Sequence, residues 1–203
     1  MVEGGTGIVA AVVLAAGAST RMGTPKQLLR FEGQTLLRRA ALAALGAGCR
    51  PVVVVTGANA ARARGELRGL GVLEVENELW ETGMASSVRA GVGAVVGSDA
   101  GAVVLTLCDQ PHVTSEIINT LIEAHRATGR GVVASEYGEG FGVPALFGRP
   151  LFDELMRLEG AAGAKQVIRS HAREAHFLPF PEGETDVDTP EDFARLLGLK
   201  ATE

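Results

Sequence analysis

Ile8-Val9-Ala10-Ala11-Val12-Val13-Leu14 runs directly into Ala15-Ala16-Gly17-Ala18-Ser19-Thr20-Arg21-Met22-Gly23-Thr24-Pro25-Lys26. The first seven residues are apolar without interruption. A strand with one wet face alternates, so an unbroken run predicts a central parallel strand covered on both sides. After Leu14 the periodicity stops and small residues and cations take over, which predicts a loop reaching to about Gly33. Outward from this junction the same alternation recurs. Leu36, Leu37, Ala40, Ala41, Ala44 and Leu45 have helical spacing within 34–47, and a second buried strand is expected over 51–56. A helix over 60–69, a strand over 72–76, a helix over 85–96 and a strand over 102–107 follow. Thr114 is placed to cap a helix ending near Thr128, and 131–135 reads as a short strand. The glycines and Pro144 predict an irregular segment over 137–147. Short helices near 150–158 and 162–171, a strand at 175–178 and a last helix capped by Thr189 with Pro190 at its first position complete the chain. Repeated strand–helix alternation predicts a single α/β domain over 1–203, three-layered with a mostly parallel sheet and a flexible leader at 1–7.

Composition narrows the function. Of 203 residues, 46% are hydrophobic and 21% charged, the balance of a packed globular chain rather than a disordered or fibrous one. A formal charge of −5 leaves no overall positive field for a nucleic-acid backbone. Cys49 and Cys108 form no CxxC pair, and the four histidines form no HExxH, so neither a disulfide framework nor structural zinc is expected. The run from Ile8 to Ala16 is half a membrane span, and the residues before it lack a basic signal-peptide start. The expectation is a reduced, cytoplasmic protein without membrane or nucleic-acid partners. Nothing resembles a long apolar seam, so a monomer is expected.

Open parallel sheets bind ligands beyond the carboxyl ends of their strands, which directs attention to the residues after Leu14, Thr56 and Leu107. In the loop after Leu14, Gly17 and Gly23 permit positive φ and close backbone approach, so consecutive N–H groups can line a hollow for phosphate oxygens. Arg21 adds a planar fork and Lys26 a mobile point charge, in a stretch with no acid between Glu3 and Glu32. The spacing is neither a Walker A loop nor GxGxxG, and an ordinary flexible loop with surface cations has the same composition. Asp109 ends Leu105-Thr106-Leu107-Cys108-Asp109, where a carboxylate either holds Mg²⁺ beside a nucleotide or makes a turn. Cys108 reads as core filling. Asp186 and Asp188 alternate in extended chain ahead of the last helix, so one of them is the second candidate metal ligand. Ser86 and Ser87, at the start of a helix, either donate to ribose or base or cap the helix, with Trp80 filling a core edge. The histidines read as surface groups, with a minor site role left to His112.

Taken together, Leu14 through Leu29, Trp80 through Gly91, Cys108-Asp109-Gln110-Pro111, Gly142 through Phe147 and Asp186 through Asp192 resemble the MobA/MocA-like nucleotidyltransferases. These share a Rossmann-like domain with nucleotide-sugar pyrophosphorylases, a nucleotide-diphospho-sugar transferase type of fold. Within that family the opening Leu-Ala-Ala-Gly is most similar to the molybdenum cofactor cytidylyltransferase branch, guanylyl relatives having a glycine where Ala16 stands. The Ala16 methyl would narrow a base pocket toward a pyrimidine. The resemblance implies Leu14, Ala15, Ala16, Gly17, Ser19, Arg21, Lys26, Ser86 and Ser87 at the nucleotide, with Arg21 and Lys26 on its triphosphate. It also implies Asp109 and Asp188 on Mg²⁺, and Arg21, Lys26 and Asp109 in catalysis. The reaction implied is transfer of CMP from CTP to the terminal phosphate of a molybdopterin-type cofactor, with pyrophosphate released and a client molybdoenzyme as a further partner. GTP, a sugar or polyol phosphate acceptor, and a non-catalytic carrier of the dinucleotide cofactor are the alternatives. Gly160-Ala161-Ala162-Gly163-Ala164-Lys165 departs from the family's usual Gly-Asp-x-Gly-Ala-Arg on the acceptor side.

Overall fold

The computed structural model describes residues 7–199; of the expected leader, residues 1–6 lie outside the described residues. In chain order the elements are β1 (Val9–Leu14), β2 (Arg30–Phe31), β3 (Gln34–Thr35), α1 (Leu36–Gly46), β4 (Val52–Thr56), α2 (Ala60–Glu66), β5 (Leu73–Glu76), α3 (Met84–Val96) and β6 (Ala102–Leu107). They continue as α4 (Ser115–Thr128), β7 (Val132–Tyr137), β8 (Gly140–Gly148), α5 (Phe152–Met156), α6 (Ala164–Ser170), β9 (His176–Pro179) and α7 (Pro190–Leu196).

Seven strands form one sheet in the order β5-β4-β1-β6-β8-β7-β9. The first four are parallel, β8 is antiparallel to both of its neighbours, and β9 is parallel to β7. The unbroken apolar runs occupy the middle: all residues of β1 and β4 are buried. Alternate side chains face opposite layers. Ala11, Val13, Val52 and Val54 pack with α1 and α4, while Ala10, Val12, Val53 and Val55 pack with α3, α5 and α6. The chain leaves β1 toward β4 on one side and returns through α3 to β6 on the other. The strand order therefore reverses between β1 and β6, and a crevice opens at Leu14 and Leu107.

One expected segment is corrected. Residues 137–147 are not irregular but supply most of β8, which pairs with β6 and β7 at once. The register passes from Ala134 opposite Ala145 to Ser135 opposite Gly142, so Val143 and Pro144 fall in the irregularity. Proline lacks an N–H, and at a bulge no ladder bond is asked of it.

The last helix determines what reaches the crevice. Thr189 and Asp192 form a reciprocal cap at the start of α7. Phe193 and Leu196 pack on a small cluster made by Met22, Leu36 and Val187. That contact clamps the acidic segment before α7 against the loop after β1. Among the described residues no helix is long and apolar enough to cross a membrane.

Candidate active site

Between the loop after β1 and the start of α3 lies a cleft of about 170 Å³, lined by Leu14, Ala15, Ala16, Gly17, Lys26, Gln27, Trp80, Met84, Ser87 and Asp109 among others. Trp80 thus faces ligand space and is not merely a core edge. The turn after β4 contributes differently from the expectation. A Cβ on Gly57 would stand 2.7 Å from the Ala16 carbonyl oxygen and 3.0 Å from Trp80 Cβ, so this turn backs Ala16 closely instead of adding a reactive group. Gly17 is also corrected: the left-handed residues of the loop are Ser19, at φ 59°, and Gly23, at φ 71°. A Cβ on Gly17 would meet nothing within 4 Å.

Buried amide side chains hold both sides of the cleft. Gln27, 1% exposed, donates to the carbonyls of Ala15 at 3.0 Å and Gly17 at 2.6 Å. Ser19, read from the sequence as a nucleotide contact, is used within the loop: its hydroxyl accepts from Lys26 N–H at 3.1 Å and donates to Gln27 Oε1 at 3.3 Å. Opposite, Asn77 accepts the Leu79 N–H at Oδ1, which fixes its Nδ2 as the donor to Ser86 Oγ at 2.8 Å and Ser87 Oγ at 3.0 Å. Ser86 directs its proton to the carbonyls of Leu79 or Gly83 and lies outside the cleft lining. Ser87 lines the cleft and, having accepted from Asn77, has its own proton left to donate. Neither serine caps α3, whose first turn has no side-chain cap.

The charged groups converge from three distant segments. Lys26 Nζ contacts Asp109 Oδ2 and lies 2.8 Å from Asp188 Oδ1, while Arg21 Nη2 lies 2.8 Å from Asp188 Oδ2. A backbone bond from Val187 N–H to the Asp109 carbonyl, 3.0 Å, joins the acidic segments directly. Burial alone would lower the Lys26 pKa, but Asp109 and Asp188 outweigh it and hold the ammonium charged. The hydrogen bond from Lys26 keeps Asp188 below the usual carboxylate range. Asp186 is pushed up to about 6, first by burial and then by the carboxylates of Asp109 and Asp188. Burial likewise pushes the Cys108 thiol up, so it stays protonated and acts as filling.

A divalent metal fits this arrangement. Asp109 and Asp188 already share one cationic centre, and the buried Asp109 Oδ1 has no hydrogen-bond partner. Among the described residues no group of three or more His, Cys, Asp or Glu side chains forms a complete cage, so the remaining ligands would be water and phosphate oxygens, the usual habit of Mg²⁺. The histidines stay apart from the cleft: His171 bonds Glu154, His125 bonds the Arg130 carbonyl, and His112 lines a second cavity of about 460 Å³ with Asp186 and Arg195.

Residues 11–175 match the model of the MobA-like NTP transferase domain. The chain belongs to this family. It is 34% identical over 203 residues to nicotine blue oxidoreductase of Paenarthrobacter nicotinovorans, covering 93% of this chain and 96% of that protein. A probable molybdenum cofactor guanylyltransferase of Opitutus terrae is 32% identical over 133 residues, 66% of this chain and 62% of that one. Among solved structures, Rv0371c of Mycobacterium tuberculosis superposes with a TM-score of 0.79 at 33% identity, covering 94% and 97% of the two chains. Its complex with manganese gives 0.76 at 32% identity, covering 95% and 99%. A nucleotidyl transferase from Methanothermobacter shares the fold at 22% identity and a TM-score of 0.78, covering 93% and 95%.

The matched region ends at residue 175, and Asp188, which pairs with Lys26, lies beyond it. Of the residues named from the sequence, the structure brings Arg21, Lys26, Asp109 and Asp188 together and sets Ser87 on the cleft, while Gln27 and Asn77 were not named there. An amide side chain carries no local signal of burial, and both have partners at loop positions no periodicity marks.

Proposed function

We propose that this MobA-like transferase moves CMP from CTP to the terminal phosphate of a molybdopterin-type cofactor and releases pyrophosphate. The observation that carries this reading is one ammonium, Lys26 Nζ, shared by two carboxylates 79 positions apart in sequence terms of Asp109 and Asp188, with Arg21 alongside. Asp109 and Asp188 would hold Mg²⁺, which when bound supplies neutralisation of phosphate-oxygen charge. Manganese in the complex of the related mycobacterial protein supports a divalent ion here. Lys26 and Arg21 then face the triphosphate. An acceptor phosphate oxygen forms a bond to the α-phosphorus, the bond from that phosphorus to the bridging oxygen breaks, and pyrophosphate leaves with its electron pair. The nucleophile is already anionic, so the residues position it and balance charge, with no strong general base required. The Ala16 methyl, backed by Gly57 and Trp80, narrows the base end of the cleft and favours a pyrimidine. Ser87 offers a hydroxyl donor to base or ribose.

Pyrophosphate release, measured with each of the four nucleoside triphosphates and a panel of phosphorylated acceptors, tests this. CTP with the molybdopterin-type acceptor is expected to turn over. Preference for GTP, or for a sugar or polyol phosphate, would overturn the cytidylyl assignment and leave the transferase reading. Tight binding of the dinucleotide product without turnover would indicate a carrier. The relative matched along nearly the whole chain is named an oxidoreductase, which favours a second reading. Oxidation or reduction of nicotine blue, the compound in that relative's name, with no pyrophosphate formed from any triphosphate, would establish it. The paired acidic segments argue for the first, because hydride transfer has no need of them.

A further inference from the structure

Three consecutive carbonyls in the loop after β1 are tied down. Gln27 Nε2 takes those of Ala15 and Gly17, and the Ala58 N–H donates to that of Ala16 at 3.0 Å. No cis peptide occurs in this loop, and in a trans peptide the N–H points opposite to the C=O. The N–H groups of Ala16 and Ala18 therefore point away from Gln27, and that of Gly17 away from Ala58. None of the three meets an acceptor among the described residues. Ala16 and Gly17 line the cleft, so unpartnered backbone donors border ligand space.

The orientation of the Gln27 amide is not arbitrary. Two carbonyls demand its NH₂ end, and Ser19, having accepted from the Lys26 N–H, gives its hydroxyl proton to Oε1. A fully buried side chain thus makes all its bonds to the loop from Ala15 to Ser19.

We infer that Gln27 is a positioning residue for nucleotide recognition: by holding the Ala15 and Gly17 carbonyls behind the loop, it presents the N–H groups of Ala16 and Ala18, beside that of Gly17 set by Ala58, to acceptor atoms of a nucleoside triphosphate. This rests on the nucleotide-binding reading above. Gln27 itself does not touch the ligand.

The test uses Gln27→Met, which keeps the side chain's length and removes its donors, and Gln27→Glu, which sets a carboxylate against two carbonyl oxygens. Each full-length protein is titrated calorimetrically with ATP, CTP, GTP and UTP in the presence of Mg²⁺, and pyrophosphate release is followed with the nucleotide bound best. Both variants are expected to raise Kd and KM about tenfold while kcat stays within about twofold, with Gln27→Glu the worse of the two. A residue that only supports folding would instead lower kcat through loss of active protein at unchanged KM, and that split overturns the inference. Hydrogen exchange on the wild-type chain gives a readout that needs no variant: the amides of Ala16 to Ala18 should gain protection when nucleotide is added, and no gain overturns the inference. If the wild type binds none of the four nucleotides, the nucleotide reading falls and this inference with it. If it binds one and the variants bind equally well, this inference alone falls.

Discussion

The neutral wall of the site is in two parts, Gln27 on one side of the cleft and Asn77 with Ser87 on the other, and a backbone group fixes the direction of each amide. In the charged wall the carboxylates of Asp109 and Asp188 stand against the cations of Arg21 and Lys26, with Asp186 behind them at the second cavity, and they balance only as a set. The neutral wall discriminates by shape and by donor placement, and it should be indifferent to pH and metal. The charged wall responds to both, because removing any one member leaves others uncompensated in a partly buried site. On the proposed function, recognition and reactivity fall to different residues.

That separation can be broken experimentally. The largest effect is expected from Asp109→Ala, which should lower kcat by roughly 100- to 1000-fold while thermal stability changes little. Parallel loss of activity and melting temperature would mean that Asp109 supports the fold rather than the chemistry. Lys26→Met should cost about 10- to 100-fold in kcat/KM, the worth of a hydrogen bond to a charged group. In the same variant, without nucleotide, Mn²⁺ should raise Tm more than in the wild type, since both carboxylates have lost their shared cation. An equal Mn²⁺ effect in the two proteins would place the metal elsewhere. On the neutral wall, Ser87→Ala should raise KM about three- to tenfold with kcat unchanged, and a drop in kcat would erase the division between the walls.

The smallest expected effect concerns acidity. In metal-free protein, burial and the neighbouring carboxylates push the Asp186 carboxyl up from its ordinary 3.8 to about 6. Between these values the folded chain holds a proton that the unfolded chain has released, so Asp186 makes stability fall as pH rises through this window and level off above it. Asp188 acts in the opposite sense, its lowered pKa lending stability that is lost only at more acid pH. With EDTA present, Tm of Asp186→Asn relative to wild type should therefore climb between about pH 4 and 6 and then stay constant. A difference that does not vary with pH would show that Asp186 is not strained by its neighbours.

How much could be read along the sequence followed from how local the causes are. β1 and β4 were visible because burial on both faces leaves unbroken runs of valine and alanine. The cap of α7 was visible because Thr189, Pro190 and Asp192 signal a helix start within four positions. Strand β8 was hidden: Gly140, Gly142 and Pro144 look like breakers, and only the pairing to β6 and β7 on either side makes a strand of them. In the site, Arg21, Lys26 and Asp109 stood out as charges at strand ends, whereas choosing Asp188 over Asp186 required the resemblance. Coordinates bring Asp188 to Lys26 and Arg21, and place Asp186 on the wall of the second cavity. The hydroxyl of Ser86 was legible as polar at a helix start, but its use by Leu79 and Gly83 was not.

Arg21 and Lys26 find Asp188 across 167 and 162 positions of the chain. During synthesis the cationic loop leaves the ribosome more than 160 positions ahead of its acidic counterpart. A nascent chain therefore carries an incomplete centre until the segment before α7 docks, and a chain stopped short of Asp188 is expected to be inert toward triphosphate rather than half-active.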